Sequence, residues 1–191
     1  MQVLDPEKRQ RIRRAAAALF ARLPYHRVTL SEVAGAAGVG KGTIYVYFRD
    51  KEDLFLATIV DDFAELVERL TAAARAAAPA REALQALVSG LVHHAFEHSQ
   101  VFELMRTVGI ATKRPGWTDT HQQLVLAIES LIRRGIEEGV FVDPRPDLTA
   151  LFVPGFVRSA MVYGPEGLTP DVVIAQILRL LDGALAPGTE S

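Results

Sequence analysis

The sequence predicts an all-α protein in two parts: a three-helix N-terminal domain built around a helix-turn-helix, residues 1–50, and a larger helical body, residues 51–191. Three observations support this. Apolar residues recur at helical spacing in segment after segment. Pro and Gly pairs such as Pro115-Gly116 and Gly164-Pro165 punctuate the chain at helix-length intervals. Finally, the one alternating apolar run, Val140-Phe141-Val142, is too short for a strand and reads as a loop.

The first helix covers residues 5–23, with Ile12, Ala15, Ala16, Leu19 and Phe20 as its apolar stripe and arginines on the other faces. A second starts at Thr29, which caps it. Glu32 reaches back to complete a capping box, and Val28 packs on Val33 as a staple. It ends at Ala37-Gly38-Val39, where Gly38 supplies the positive φ of a tight turn. The third helix runs from Lys41 to Phe48 and stops at Arg49-Asp50. Asp50 caps a long fourth helix that has Lys51 in its first turn and carries Leu54, Ala57, Phe63, Leu66, Val67 and Leu70 toward Ala78.

In the body, a helix from about Leu148 to Tyr163 carries Leu151, Phe152, Phe156 and Val162, with Pro154-Gly155 expected to kink it. The last helix has Thr169 as cap and Pro170 at its first position, and carries Val172, Val173, Ile174, Ile177, Leu178, Leu180, Leu181 and Leu185. Apolar residues cover more than one face of both. Either these helices are buried internally, or one face serves the core and the other a second copy, giving a homodimer through the last two helices.

The 191 residues contain no Cys, which excludes disulfide frameworks, thiol nucleophiles and Cys-ligated zinc. No apolar run approaches the roughly 20 residues of a spanning helix, and the charged N-terminus is no signal peptide. A cytoplasmic protein with no membrane partner is expected. The net charge of −2 conceals an asymmetry. Through Leu54 there are ten basic and six acidic residues, a net +4, whereas the remainder carries −6. A basic segment on an acidic body suits an anionic partner, although a solvated helix face gives the same count.

The third helix has the chemistry of a DNA reader. Gly42 and Thr43 let backbone approach base edges, Lys41 pairs with guanine acceptors or a phosphate, and Val46 meets a thymine methyl. Tyr45 and Tyr47 offer hydroxyls to phosphates, while Ile44 and Phe48 hold the helix to the core. Lys51 adds its charge to the positive end of the fourth helix, which also suits a phosphate.

The run VTLSEVAGAAGVGKGTIYVYFRDKEDLF, behind an Arg-rich amphipathic helix, resembles the N-terminal domain of the TetR family of bacterial transcriptional regulators. The likeness covers about the first 55 residues, through Thr29, Ala37-Gly38-Val39, Thr43, Tyr45, Tyr47-Phe48 and Lys51-Glu52-Asp53-Leu54. It implies that Thr29, Tyr45, Tyr47 and Lys51 hold phosphates and that Lys41, Gly42, Thr43 and Val46 face bases. Gly40 departs from the pattern, which commonly has Ser there. The resemblance also implies a homodimer that binds a pseudo-palindromic duplex operator as a repressor and is released by a small-molecule effector. No enzyme activity and no cofactor are expected.

Phe96, Phe102, Met105, Trp117, Phe152 and Phe156, with Arg106 and His121 as polar groups, suit a pocket for a hydrophobic or amphipathic effector. Core packing is the plainer reading of each alone. Residues His94-Ala95-Phe96-Glu97-His98 match H-x-x-E-H, a zinc metalloprotease pattern. The alternatives to an organic effector are therefore a metal-responsive regulator using His94 and His98, with His121 completing the set, or a small zinc metalloenzyme.

Overall fold

The computed structural model describes residues 5–75, 79–102 and 117–185. They are mostly helical, with no strand among them. The helices are α1 (Pro6–Phe20), α2 (Leu30–Ala37), α3 (Lys41–Tyr47), α4 (Lys51–Arg75), α5 (Ala80–Glu97), α6 (Trp117–Glu137), α7 (Pro146–Tyr163) and α8 (Pro170–Leu185). A 3₁₀ turn at Tyr25–Arg27 precedes α2, and residues 99–102 are also helical. The chain divides into two compact units, Met1–Phe63 and Ala64–Ser191, and the division falls inside α4.

In the first unit local signals and packing agree. Asp5 caps α1, its Oδ1 accepting from the N–H groups of Glu7 at 2.9 Å and Lys8 at 3.2 Å. Thr29 and Glu32 close both halves of the capping box on α2, and Gly38 ends that helix with φ 63°. Asp50 Oδ1 accepts from Asp53 N–H at 2.7 Å and so starts α4. Ile12, Ala16, Val28, Val33, Ile44, Phe48 and Leu54 are buried together with Phe20, whose ring meets Phe55 edge-on at 4.7 Å. At the opposite end of α2 its carbonyls are exposed to a cation: Arg11 Nε donates to Ala37 O at 2.9 Å, a basic group at the negative end of a helix.

In the second unit α5 packs on α6, α7 and α8, and α6 packs on α7. Leu87, Val88 and Val92 of α5, Leu124, Ile128 and Ile132 of α6, Ala150 and Val153 of α7, and Ile177 and Leu181 of α8 form the core. Val140-Phe141-Val142 is the expected loop. It seats Phe141 against Gly135, where a Cβ would collide with the ring, and Val142 N–H donates to Leu185 O at 2.9 Å. Pro154 lies inside α7, which continues through it from Pro146 to Tyr163.

The last two helices are not wholly internal. Leu148, Leu151, Phe152 and Tyr163 of α7, and Val172 and Leu180 of α8, are exposed in the single chain.

Candidate nucleic-acid interface

Helix α3 is only seven residues long and divides cleanly by burial. Ile44 is fully buried and Phe48, just past the helix end, nearly so, which anchors one side to the unit. Lys41, Gly42, Tyr45 and Val46 are exposed, the last two by 52% and 53%, and Thr43 is half-buried between the two sides. This is an outward face of one cation, one hydroxyl-bearing ring, one branched methyl pair and a glycine that adds no bulk. Gly40 caps the helix with extended backbone and no side-chain bond.

The remaining residues of the expected phosphate set have work inside the unit. Tyr47 Oη accepts from Asp5 N–H at 3.2 Å, tying α3 to the start of α1 and leaving its own proton for an outside acceptor. Thr29 Oγ1 accepts from Glu32 N–H and donates to Glu32 Oε2 at 2.7 Å, so its proton is spent on a carboxylate. The hydroxyl bond, with a second from Thr29 N–H to Oε2 at 2.8 Å, holds the Glu32 carboxyl below its usual range. Thr29 therefore caps α2, beside a carboxylate. Lys51 likewise has partners inside the unit. Its Nζ donates to Tyr25 O at 2.9 Å and Val28 O at 3.0 Å and lies over the Tyr25 ring, which pins the loop before α2 to the start of α4.

The basic count of the N-terminal segment shrinks in the same way. Arg9 lies over the Phe48 ring at 5.2 Å, Arg11 caps α2, and Arg13 pairs with Asp61. Arg9 and Arg11 are nonetheless exposed, as are Arg14, Arg22, Arg27, Lys41 and Arg49.

The expected effector residues come from several helices. Met105 and Arg106 lie outside those residues. Phe152 is 54% exposed, Phe156 half-buried on the same helix 6.3 Å away ring to ring, and Phe96, Phe102, Trp117 and His121 are half-buried on α5, the helical turn after it, and α6. Burial lowers the pKa of His121. A groove of about 810 Å³ lies elsewhere, between the second half of α4 and α6, and none of the expected residues lines it. Its walls combine Val67, Leu126 and Leu131 with Glu68, Arg75 and Arg134. Arg134 Nη1 donates to Ala74 O at 3.0 Å across its floor. These charged residues read as ordinary solvated helix faces, and nothing in their spacing marks a groove.

Residues 12–58 match the model of the tetR family of bacterial regulatory proteins, a span that contains the capping box, the Gly38 turn, α3 and the start of α4. The N-terminal segment is a TetR-family domain. It is 26% identical to an uncharacterised HTH-type transcriptional regulator, YhgD, of Bacillus subtilis, over 92% of this chain and 93% of that one. It is 28% identical to the HTH-type transcriptional repressor KstR2 of Mycobacterium tuberculosis, over 89% and 88% of the two chains. A TetR-family regulator from Pectobacterium atrosepticum superposes with a TM-score of 0.76 over 95% of each chain at 24% identity, a likeness of fold.

These TetR-family relatives are transcriptional regulators, so the metalloenzyme reading of His94 and His98 falls and this chain is a transcriptional regulator. Among the described residues no helix is long and apolar enough to cross a membrane. What the sequence does not signal is the internal use of the family's basic residues. Tyr25, the ring beneath Lys51, sits in a turn with no periodic pattern, and Arg11 reads as one more surface charge until α2 is placed against it.

Proposed function

We propose that the protein is a homodimeric repressor that reads a pseudo-palindromic duplex operator with α3 and releases it when a small amphipathic effector binds the body. The exposed face of α3 carries the reading: Lys41, Gly42, Thr43 and Val46 toward bases, with Tyr45 and Tyr47 toward phosphates, on a helix anchored by Ile44 and Phe48. Thr29 and Lys51 serve this surface by holding α2 and the start of α4. The name of the mycobacterial relative, a repressor, supports the sign of regulation.

Dimerisation through α7 and α8 is supported by Leu151, Phe152, Val172 and Leu180, apolar side chains exposed in a single chain. The groove between the second half of α4 and α6 is the site proposed for the effector. Its size falls in the usual range for small-molecule sites, and its apolar and charged walls fit a molecule with both characters. Effector and operator would then weaken each other reciprocally.

The test is selection of duplexes from a randomised pool, followed by binding titrations. Wild type is expected to enrich an inverted repeat. Val46→Ala should alter base preference within each half-site, and Tyr45→Phe should weaken all duplexes alike. Recovery of no repeat, or equal loss on selected and random DNA for both variants, would sink the reading. Leu151→Lys with Leu180→Lys should convert the dimer to a monomer in analytical ultracentrifugation.

A further inference from the structure

We infer that His94, Glu97 and His98, on the last turn of α5, form a site for one divalent transition-metal ion of the zinc and nickel class. The three residues stand at i, i+3 and i+4, spacings that bring side chains together on one helix face. Their ligand atoms all lie within 4.8 Å of one another, and the two imidazole centroids are 4.3 Å apart. Donors around a tetrahedral ion with bonds of about 2.0 Å stand roughly 3.4 Å apart, so small side-chain rotations close the set. His121 is not part of it.

The electrostatics select the ion. The carboxylate of Glu97 and the negative end of α5 favour a cation, whereas Arg69 opposes one. That opposition weighs most against hard ions such as Mg²⁺, which need several oxygen ligands and bind largely by charge. Two imidazole nitrogens and one carboxylate suit ions that prefer nitrogen. Three protein donors leave a fourth position for water or a small ligand. His98 is also where α5 ends, with φ −107° and ψ 31°, so a bound ion would bridge the helix and the residue that terminates it.

This inference is independent of the proposed groove and is tested without DNA. The untagged full chain, stripped with chelator, is titrated with Zn²⁺ by calorimetry and with Co²⁺ by visible absorption. One ion per chain is expected, with the absorption of a four- or five-coordinate Co²⁺ site. His98→Ala and Glu97→Gln should each weaken Zn²⁺ at least about tenfold, and His93→Ala should not. If His94→Ala does not fold, the other two variants decide. Binding absent in the wild type, or unchanged in both His98→Ala and Glu97→Gln, overturns the site.

Discussion

The ammonium of Lys51 stands 4.4 Å from the centre of the Tyr25 ring and donates a 2.9 Å hydrogen bond to the carbonyl of that same residue. One cation thereby satisfies backbone, ring and, through Val28 O, the approach to α2. Lys51→Met leaves two partly buried carbonyls without a donor. Stability of the N-terminal unit should fall by about 2 kcal/mol, read as faster amide exchange over residues 25–37. A phosphate contact would give a different signature. Its loss would reduce the salt slope of DNA binding by about one, whereas Lys51→Met is expected to leave that slope unchanged.

Thr29→Ala removes the capping box, with a cost of about 1 kcal/mol in thermal or denaturant unfolding. It also removes the hydroxyl bond that is the largest cause of the lowered Glu32 pKa, while the backbone N–H of residue 29 keeps its own bond to Oε2. A carboxyl with a folded pKa below its unfolded value stabilises above the unfolded pKa and loses that contribution as pH falls through the folded one. Wild type should therefore lose stability relative to Thr29→Ala on acidification below about pH 4.5, and the gap between the two unfolding curves should narrow. A gap that stays constant with pH would contradict this.

Gly42 has nothing within 4 Å of a would-be Cβ, so Gly42→Ala fits the free protein. Replacing a helical glycine should raise stability by about 0.5 kcal/mol while weakening DNA, because the added methyl stands between backbone and base edges. Fluorescence anisotropy and thermal unfolding on one preparation test both signs. Gly40→Ser is the control. Its backbone at φ −72° and ψ 148° suits a serine cap, and a few tenths of a kcal/mol of stabilisation are expected.

Gly135→Ala should be severe. The new methyl meets the buried Phe141 ring, and Gly135 O already accepts from Val140 and Phe141 N–H at 2.8 and 3.0 Å, so neither partner can withdraw freely. A loss of about 2 kcal/mol or more is expected in denaturant unfolding. A stable Gly135→Ala chain would show that the loop repacks.

How much of this was legible depended on the range of the interaction. Thr29 with Glu32, Gly38 and Asp50 act within a few residues of themselves, and their pattern announced the helix boundaries. The exposed face of α3 followed from the spacing of Ile44 and Phe48. The partners of Lys51, Arg11 and Arg9 were not legible, because they are carbonyls and a ring more than twenty residues away. The groove escaped for the same reason. Its walls come from α4 and α6, and Glu68, Arg75 and Arg134 look like surface residues on either helix alone.

The bond from Asp5 N–H to Tyr47 Oη has a practical corollary for anyone who handles this protein. It places the chain entering α1 beside the end of the helix proposed to read DNA. An affinity tag or fluorescent fusion ahead of Asp5 would emerge at that surface, where an acidic linker would mimic and compete with the duplex. Binding constants are best taken after such a leader has been cleaved away.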